Sequence, residues 1–600
     1  MKSLKRILRR STQQRLPSQL VIHEQEKVYS NMQQQERKLP IELLLRVFEY
    51  LSPQELINSR SVCQWFKEVI DGAPEVQYRI ELYVYGYVHN DACTDIGVSQ
   101  RLEALRAQTH FWKNPQFSWV PQDVPWSHGD LRYNHFHENL WVRSLNIGWT
   151  EHPWKFNAVQ CVVLEPGRNG SAVLDTWKLQ FPFAFDCYIT YPSRGYIMLL
   201  DSILVGDPQC YIIRKVSLDS GQLLSEDMVP LGGPPLERWA GPVMDAAGGN
   251  AISIIRSALL PDTNQALLRV TLLDFPAMQV TVDTSIVVQD DSLIAVQLVE
   301  DDCLILHIMR GGKFETQVYT VKHQAPPDED KLGLYLVTIF HFPEVQQDWV
   351  SPMTDMNFIV GGSGGGLVSR NVPPRPFVRQ VEDPPLLVLR WYQRPDGTQS
   401  RVIHVVPLSV FTSVTHTFVP SRTPSEQTTH TQWEDWGPKK TRCFLDHRSF
   451  LPGNYTYQIL FSDFTLLDFN QLDIARDLQR AAMTSSVSLD VKRKRRASIM
   501  QALRTASLSA LRSKGVVEDI EIPGYSGGIV LQPNTIPKGE MFAQDVTTCL
   551  PYRRTKLEWT GPEPVFVYVG EVLVVCSKEV QDDGSTVHKF HTMQKQGCTY

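Results

Sequence analysis

The segment Gly524-Tyr525-Ser526-Gly527-Gly528 has the glycine–serine–glycine spacing of a hydrolase nucleophile. In that chemistry the serine lies on a strained turn between a strand and a helix, which exposes its hydroxyl group. Here the residues that follow, IVLQPNTIP, are β-prone and interrupted by proline, and no alternation of strands and helices surrounds them. A glycine-rich hairpin turn explains the motif better. We therefore expect no catalytic residue, and a serine hydrolase built on Ser526 is a remote alternative.

Two other segments contain residue types that bind ligands. The glycine-rich run at 361–366 lacks the Gly-Lys-Ser/Thr ending of a phosphate-binding loop, which favours a plain loop between strands. Five residues with metal-ligating side chains crowd a second segment: His128, Asp130, His135, His137 and Glu138. Two histidines on one strand face could share a metal, but such residues are common where a chain enters a domain. We expect neither a metal nor a cofactor.

A dense basic run comprises Lys492, Arg493, Lys494, Arg495 and Arg496. Such a run is typical of a nuclear-import signal, a nucleic-acid patch or a solvated loop. No aromatic residues interleave it and the net charge of the chain is −6, which argues against nucleic acid as a partner. Ser498 follows the run in the arrangement that basophilic kinases favour, so it is a candidate phosphorylation site; an unmodified serine is the equal alternative.

Length and composition describe a multidomain globular protein. A chain of 600 residues exceeds what one core organises, and 42% hydrophobic with 21% charged residues is ordinary for folded domains. No segment approaches the roughly 18 uninterrupted apolar residues of a membrane span, and the basic start lacks the apolar core of a secretory signal. The ten cysteines include no CxxC pair. We expect a cytoplasmic or nuclear protein that does not contact membranes.

Residues 39–70, LPIELLLRVFEYLSPQELINSRSVCQWFKEVI, are apolar on more faces than a small helical unit can bury. One face of the first predicted helix carries Ile41, Leu44, Leu45, Phe48 and Leu51. Leu43, Val47 and Tyr50 form a second apolar stripe beside it. A helix that is hydrophobic nearly all round needs burial nearly all round. A partner protein is the simplest source of the missing contact.

Three landmarks punctuate this segment in a fixed order. Leu39-Pro40 begins the first helix, the run Ser52–Glu55 has the form of a capping box with proline at the first helical position, and Val62-Cys63-Gln64-Trp65 opens the third helix. The order and spacing of these landmarks resemble the F-box motif. An isolated three-helix subdomain packed on the downstream domain is the alternative.

The resemblance implies that the helices dock on the Skp-type adaptor of a cullin ubiquitin ligase. The positions that match the adaptor-facing residues of the family are Leu39, Pro40, Leu43, Leu44, Val47, Phe48, Leu51, Leu56, Val62, Cys63 and Trp65. The rest of the chain would then present an unknown protein substrate, which makes the chain a non-catalytic substrate receptor of an SCF-type (Skp adaptor, cullin, F-box) ligase. An F-box protein that binds the adaptor without directing degradation is the alternative.

Downstream of these helices the sequence becomes strand-rich. A helix is predicted from Ser99 to Ala107, with Leu102 and Leu105 inward. From about residue 115, alternating segments bounded by Asp, Gly and Pro predict antiparallel hairpins, for example across 293–321, 386–406 and 565–576. Their recurrence favours a β-propeller with an undetermined number of blades, and one or two β-sandwiches are the alternative.

Further segments extend the resemblance weakly along the chain. EVQYRIELYVYGYV, SQRLEALRAQTHFW, WEDWGPKKTRCF and LPYRRTK resemble segments of fungal F-box proteins, in which a neck joins the F-box to an all-β region. The fold class is therefore α+β multidomain. We expect a flexible basic leader at 1–36, the F-box domain at 37–82, a helical neck at 83–114 and a β-rich substrate-binding domain at 115–600, with a mobile basic insertion at 471–514. We expect Trp433 and Trp436 in a loop, where they pack between propeller blades. Binding of a partner by these two residues is the alternative.

Overall fold

The computed structural model describes most of the chain from residue 39 onward. The described residues are 39–90, 95–113, 117–122, 134–137, 140–147, 155–166, 172–191, 194–203, 210–230, 243–246, 251–260, 265–274, 277–289, 293–310, 313–323, 332–350, 358–360, 376–379, 383–419, 428–446, 453–455, 457–461, 463–484, 520–521, 527–559, 561–562, 564–569, 573–580 and 586–595. The chain divides into two compact units, Met1–Ile80 and Glu81–Tyr600.

Helices dominate the start of the described chain and recur only singly later. They are α1 Ile41–Glu49, α2 Pro53–Ser59, α3 Gln64–Gly72, α4 Pro74–Tyr85, α5 Val98–Lys113, α6 Ser409–His416, α7 Trp433–Lys440 and α8 Gln471–Thr484. The helix predicted from Ser99 to Ala107 is confirmed as the core of α5, and Leu102 and Leu105 are buried as expected. The expected loop at Trp433 is wrong, because Trp433 opens α7.

Strands of the second unit form consecutive sheets that we number in chain order. Sheet 1 contains β3 Asn134–His137, β4 Leu140–Leu145, β5 Phe156–Pro166 and β6 Ala172–Phe185. Sheet 2 contains β7 Cys187–Tyr191, β8 Tyr196–Ile203, β9 Cys210–Ser217 and β10 Leu223–Pro230. Sheet 3 contains β11 Val243–Ala246, β12 Ala251–Leu259, β13 Gln265–Asp274 and β14 Gln279–Gln289. In each of these three sheets, strands that are consecutive in the sequence pair antiparallel to each other.

Each of the later sheets includes at least one strand that is not consecutive in the sequence with the others. Sheet 4 contains β15 Leu293–Glu300, β16 Cys303–Arg310, β17 Lys313–His323, β18 Leu332–His341 and β23 Thr429–Thr431. Sheet 5 contains β19 Phe358–Val360, β21 Pro385–Gln393, β22 Gln399–Pro407 and β24 Arg442–Asp446. Sheet 6 contains β25 Gly453–Tyr455, β26 Gln458–Leu460, β27 Thr465–Asp468, β32 Tyr552–Lys556, β29 Gly528–Val530 and β28 Ile520–Glu521.

The last large sheet joins distant ends of the second unit. Sheet 7 contains β33 Pro564–Val569, β34 Leu573–Val580, β35 Thr586–Lys595 and, beside β35, β2 Phe117–Gln122. Two small ribbons pair β1 Tyr87–His89 with β20 Phe377–Arg379 and β30 Asn534–Ile536 with β31 Val546–Thr548. The predicted hairpins across 293–321, 386–406 and 565–576 are confirmed as β15–β17, β21–β22 and β33–β34.

Hydrophobic side chains fill the space between consecutive sheets. Neighbouring residues of one strand serve different interfaces: Leu304 packs between sheets 3 and 4, whereas Ile305 packs between sheets 4 and 5. Likewise Leu272 faces sheet 4 and Leu273 faces sheet 2. Because successive side chains of a strand point to opposite faces, these sheets bury both faces. This explains why central strands are continuous apolar runs rather than alternating ones.

The segment from residue 471 differs from the expected mobile insertion. Its first part is the helix α8, in which Ile474 and Leu478 are buried, as are the carboxylates of Asp473 and Asp477. The polar composition suggested mobility, but both aspartates form buried ion pairs: Asp473 with Lys113 and Asp477 with Arg553. Residues 485–514, including the basic run and Ser498, lie outside the described residues.

Candidate protein-binding surface on the N-terminal helices

The first helix is fixed by contacts at both ends. Pro40 precedes it with extended geometry, and the amide of Leu44 donates to the Pro40 carbonyl at 3.1 Å. At the other end, the guanidinium group of Arg79 donates to the carbonyls of Phe48 at 3.0 Å and Leu51 at 2.6 Å. These bonds satisfy carbonyls that a helix C-terminus leaves without an intrahelical donor.

The second helix begins with the predicted capping box. The amide of Ser52 donates to the Glu55 carboxylate at 2.9 Å, and the amide of Glu55 donates to the Ser52 hydroxyl at 3.3 Å. Pro53 occupies the first helical position. The backbone hydrogen bond from Ser52 lowers the pKa of Glu55, so the cap keeps its negative charge at the helix N-terminus. The reciprocal cap fixes the start of α2.

Aromatic and aliphatic packing closes the three helices on one another. Leu44, Phe48 and Leu56 are buried, and the ring of Phe48 meets that of Phe66 edge to face at 5.7 Å between centroids. At the start of α3, the Cys63 thiol accepts from the Phe66 amide at 3.4 Å. This packing leaves the opposite side of α1 uncovered within the described residues.

Five apolar side chains of the N-terminal helical unit remain at least half exposed, and we call them the exposed stripe. They are Leu39 at 53%, Leu43 at 51%, Val47 at 51%, Tyr50 at 89% and Val62 at 65%. Leu43, Val47 and the C-cap residue Tyr50 recur at intervals of four and three residues, which places these three on one helical face. Single exposed apolar residues are ordinary, but five on one small unit are typical of a protein-interaction surface.

Comparison with known families assigns this unit. Residues 37–75 match the F-box-like domain. The chain therefore contains an F-box-like domain. No curated protein matches it. A solved structure similar to part of it is a functionally unknown protein from Desulfotomaculum acetoxidans DSM 771, with 10% sequence identity and a TM-score of 0.20 over 45% of this chain and 85% of that one. That similarity is too low to inform fold or function.

The predicted adaptor-facing residues of the F-box separate into three groups. The exposed ones are Leu39, Pro40, Leu43, Val47, Val62 and Cys63. The partly buried ones are Leu51 and Trp65. The buried ones are Leu44, Phe48 and Leu56. Burial assigns this last group to the interior of the F-box rather than to its surface. Tyr50, the most exposed member of the stripe, was absent from the predicted set although its spacing with Val47 placed it on the same face.

The other sequence motifs contribute no further site within the described residues. Ser526 and the run at 361–366 lie outside them. After Ser526 the chain continues into strand β29, whereas a nucleophile elbow requires a helix. Gly527 has φ of +148°, and an added Cβ would lie 2.1 Å from the Arg554 carbonyl oxygen. The positive φ and the close approach of the Arg554 backbone therefore explain Gly527.

The metal hypothesis at residues 128–138 adds no site. His128, Asp130 and Glu138 lie outside the described residues, and His135 and His137 belong to β3. No group of three or more His, Cys, Asp or Glu side chains in the described part could hold a metal ion. None of the helices described is long and apolar enough to cross a membrane.

Proposed function

We propose that this F-box protein is the substrate-receptor subunit of an SCF-type ubiquitin ligase. The observation that carries the proposal is the exposed stripe on the F-box-like domain, because five apolar side chains on one small unit need a protein partner to cover them. The stripe would bind the Skp-type adaptor and, through it, a cullin. Its aliphatic residues with one tyrosine match the apolar centre of a protein interface.

The receptor would act by proximity rather than by its own chemistry. The adaptor holds the F-box while the β-rich unit holds a protein target, so that a target lysine meets the charged thioester of a conjugating enzyme at high effective concentration. In this role the chain supplies binding and orientation, and no catalytic group of its own takes part.

We further propose that the β-rich unit is a seven-bladed β-propeller with sheets 1–7 as blades. The first strands of consecutive sheets contact each other, from β3 with β7 through to β25 with β33. β35 of sheet 7 contacts β6 of sheet 1, and β2 completes sheet 7 from the opposite end of the unit. Both-face burial supports this ring over β-sandwiches, in which each sheet buries one face.

Adaptor binding tests the proposed function directly. The wild-type chain should co-purify with the Skp-type adaptor, whereas Leu43→Asp with Val47→Asp should abolish recovery because charge enters the apolar centre of the stripe. The matched control is Leu223→Asp with Leu224→Asp on β10, a pair exposed at 45% and 52% in the other unit. That control should retain the adaptor. Circular dichroism and thermal melting verify that all variants fold.

Two outcomes would overturn this proposal. A folded wild-type chain that never co-purifies with the adaptor excludes the receptor role. Equal loss of adaptor recovery in both double variants excludes the exposed stripe as the specific adaptor-binding surface. Degradation is tested separately by comparing protein abundances in cells with and without the receptor. A target should accumulate without it, whereas an F-box protein that does not direct degradation would leave abundances unchanged.

A further inference from the structure

Two histidines face each other at the outer edge of sheet 4. His341 ends β18 and His430 is the central residue of β23. The Nε2 atom of His341 lies 3.1 Å from the Nδ1 atom of His430, and the two ring planes differ by 12°. At this distance one ring nitrogen must donate a proton and the other must accept it. The contact therefore depends on the protonation state of the pair.

Strand β23 is also attached to its sheet through its backbone and through threonine hydroxyls. It has three residues and pairs with β18 in parallel register, Thr338 with Thr429 through to Phe340 with Thr431. The hydroxyls of Thr338 and Thr429 lie 2.8 Å apart. Two of the three residues of β23 are exposed, so burial contributes little. The Thr429 hydroxyl also donates to the Val337 carbonyl at 3.5 Å, so the histidine contact is one of several attachments that hold this strand.

The charged groups around the pair set the direction of its pH response. Glu315 on β17 places its carboxylate 4.0 Å from the Nδ1 atom of His341, and Lys313 on the same strand pairs with Glu344 at 3.7 Å. Burial lowers the pKa of His341 most, Glu315 raises it, and His430 and Lys313 lower it, with a net decrease. An unfolded histidine has a pKa of about 6.5, so folded His341 favours its neutral form, and the stability that this residue contributes is lost as the pH falls.

We propose that His341 and His430 form a proton-sensitive latch that holds β23 on β18 near neutral pH and releases it in acid. In the neutral pair, one N–H donates to the other ring. A first proton leaves a charge-assisted N–H···N bond, so the latch stays closed. A second proton gives both facing nitrogens a hydrogen and both rings a positive charge, which removes the acceptor and adds repulsion. Release leaves the edge of β18 at residues 338–340 unpaired.

Amide hydrogen exchange on the full-length protein tests the latch. Between pH 7.5 and pH 5.0, after correction for intrinsic exchange rates, protection at residues 429–431 should fall by about tenfold or more. The reason is that pH 5.0 lies more than about one unit below the ordinary histidine pKa of about 6.5, and only the released strand readily takes up the second proton. Protection in β16 and β17 should stay constant. In His430→Asn the protection of this strand should no longer depend on pH. His416→Asn, which removes an exposed histidine from α6, should keep the wild-type response.

If the His430→Asn variant no longer forms strand β23, titration of the histidine rings by nuclear magnetic resonance still tests the latch. In the wild type, the two histidines should titrate in two coupled steps, because the second proton enters an already charged pair. His341→Gln should convert the His430 titration to a single step. Independent single-step titrations in the wild type, or an unchanged pH response of residues 429–431 in His430→Asn, would overturn the latch.

Discussion

The buried charges around α8 should make a large contribution to the stability of the β-rich unit. The Asp473 carboxylate accepts from Lys113 Nζ at 2.6 Å and from Arg553 Nη2 at 2.8 Å. The Asp477 carboxylate accepts from the same two groups at 3.0 Å and 2.5 Å. Arg553 also donates to Asp468 at 2.9 Å. Elements far apart in the sequence, α5, α8 and β32, are thereby tied together.

Replacing Asp473 and Asp477 together by Asn removes two carboxylates from two buried cations while preserving side-chain size. All four side chains are at most 5% exposed. Removing one partner of a buried ion pair typically costs about 3–5 kcal/mol, because the other charge stays buried without compensation. We expect the double variant to lose at least that much unfolding free energy. The control is Glu344→Gln, whose pair with Lys313 is 56–66% exposed and should matter by about 0–1 kcal/mol.

Urea unfolding of the full-length protein, followed by tryptophan fluorescence, measures both variants. A decrease in the double variant no larger than that of Glu344→Gln would refute the reasoning. Adding Lys113→Met to Asp477→Asn offers a second check, because removing cation and anion together should cost less than the sum of the single changes. Additive effects would mean that the two groups are energetically independent despite their contact.

The same network predicts a pH dependence. Burial alone would raise the pKa of Asp473, but the charges and hydrogen bonds of Arg553 and Lys113 lower it well below its usual value. Its stabilisation is therefore present above the unfolded pKa of about 3.9 and is lost as the pH falls further. Burial raises the pKa of Asp468 despite its bond to Arg553, so this carboxyl offsets part of the effect. The double Asn variant should show the weaker loss of stability in acid.

Three further predictions concern other parts of the chain. Leu573→Ala should destabilise the β-rich unit by roughly 2–5 kcal/mol, because Leu573 is fully buried and its truncation leaves a cavity, while pull-down of the Skp-type adaptor stays unchanged. A fluorophosphonate probe should leave the wild-type protein unlabelled, and labelling that disappears in Ser526→Ala would contradict the expectation that Ser526 is not a nucleophile. Deletion of residues 491–514 should leave the melting midpoint nearly unchanged, since the entropy of loop closure depends only logarithmically on loop length. If the basic run is an import signal, the deletion should also alter the nuclear distribution of the protein, as measured by fluorescence microscopy.

Local sequence patterns predicted the parts of the fold that depend on local contacts. The capping box at Ser52 and Glu55 needs only a serine, a proline and a glutamate at fixed spacing, and it forms as expected. The hairpins at 293–321 follow from apolar runs separated by turn residues, and their register needs no distant partner. In both cases the interactions that define the element lie within a few residues of one another.

Burial was harder to predict where two faces of one helix are apolar. Leu44 and Leu43 are adjacent leucines, yet Leu44 is 2% exposed and Leu43 is 51% exposed. Their periodicity shows two stripes but not which one turns inward. That choice depends on where α3 packs and on Arg79, whose side chain caps α1 from 28 to 31 residues away. The sequence therefore predicted helix α1 where the structure has it, whereas periodicity alone did not distinguish the buried Leu44 from the exposed Leu43. The adaptor-facing role of these residues stays a prediction.

Helix α8 shows why amino-acid composition does not predict ion pairs between residues that are distant in the sequence. Asp473 and Asp477 resemble solvated residues at the start of a polar, basic segment, and only their contacts with Lys113 and Arg553 make them structural. Lys113 lies 360 residues before Asp473 in the sequence. No local pattern reports such a partner, because the free energy of a buried aspartate depends on cations that the fold brings to it. The helix at the start of this segment is consequently stabilised by tertiary contacts at residues 473–478.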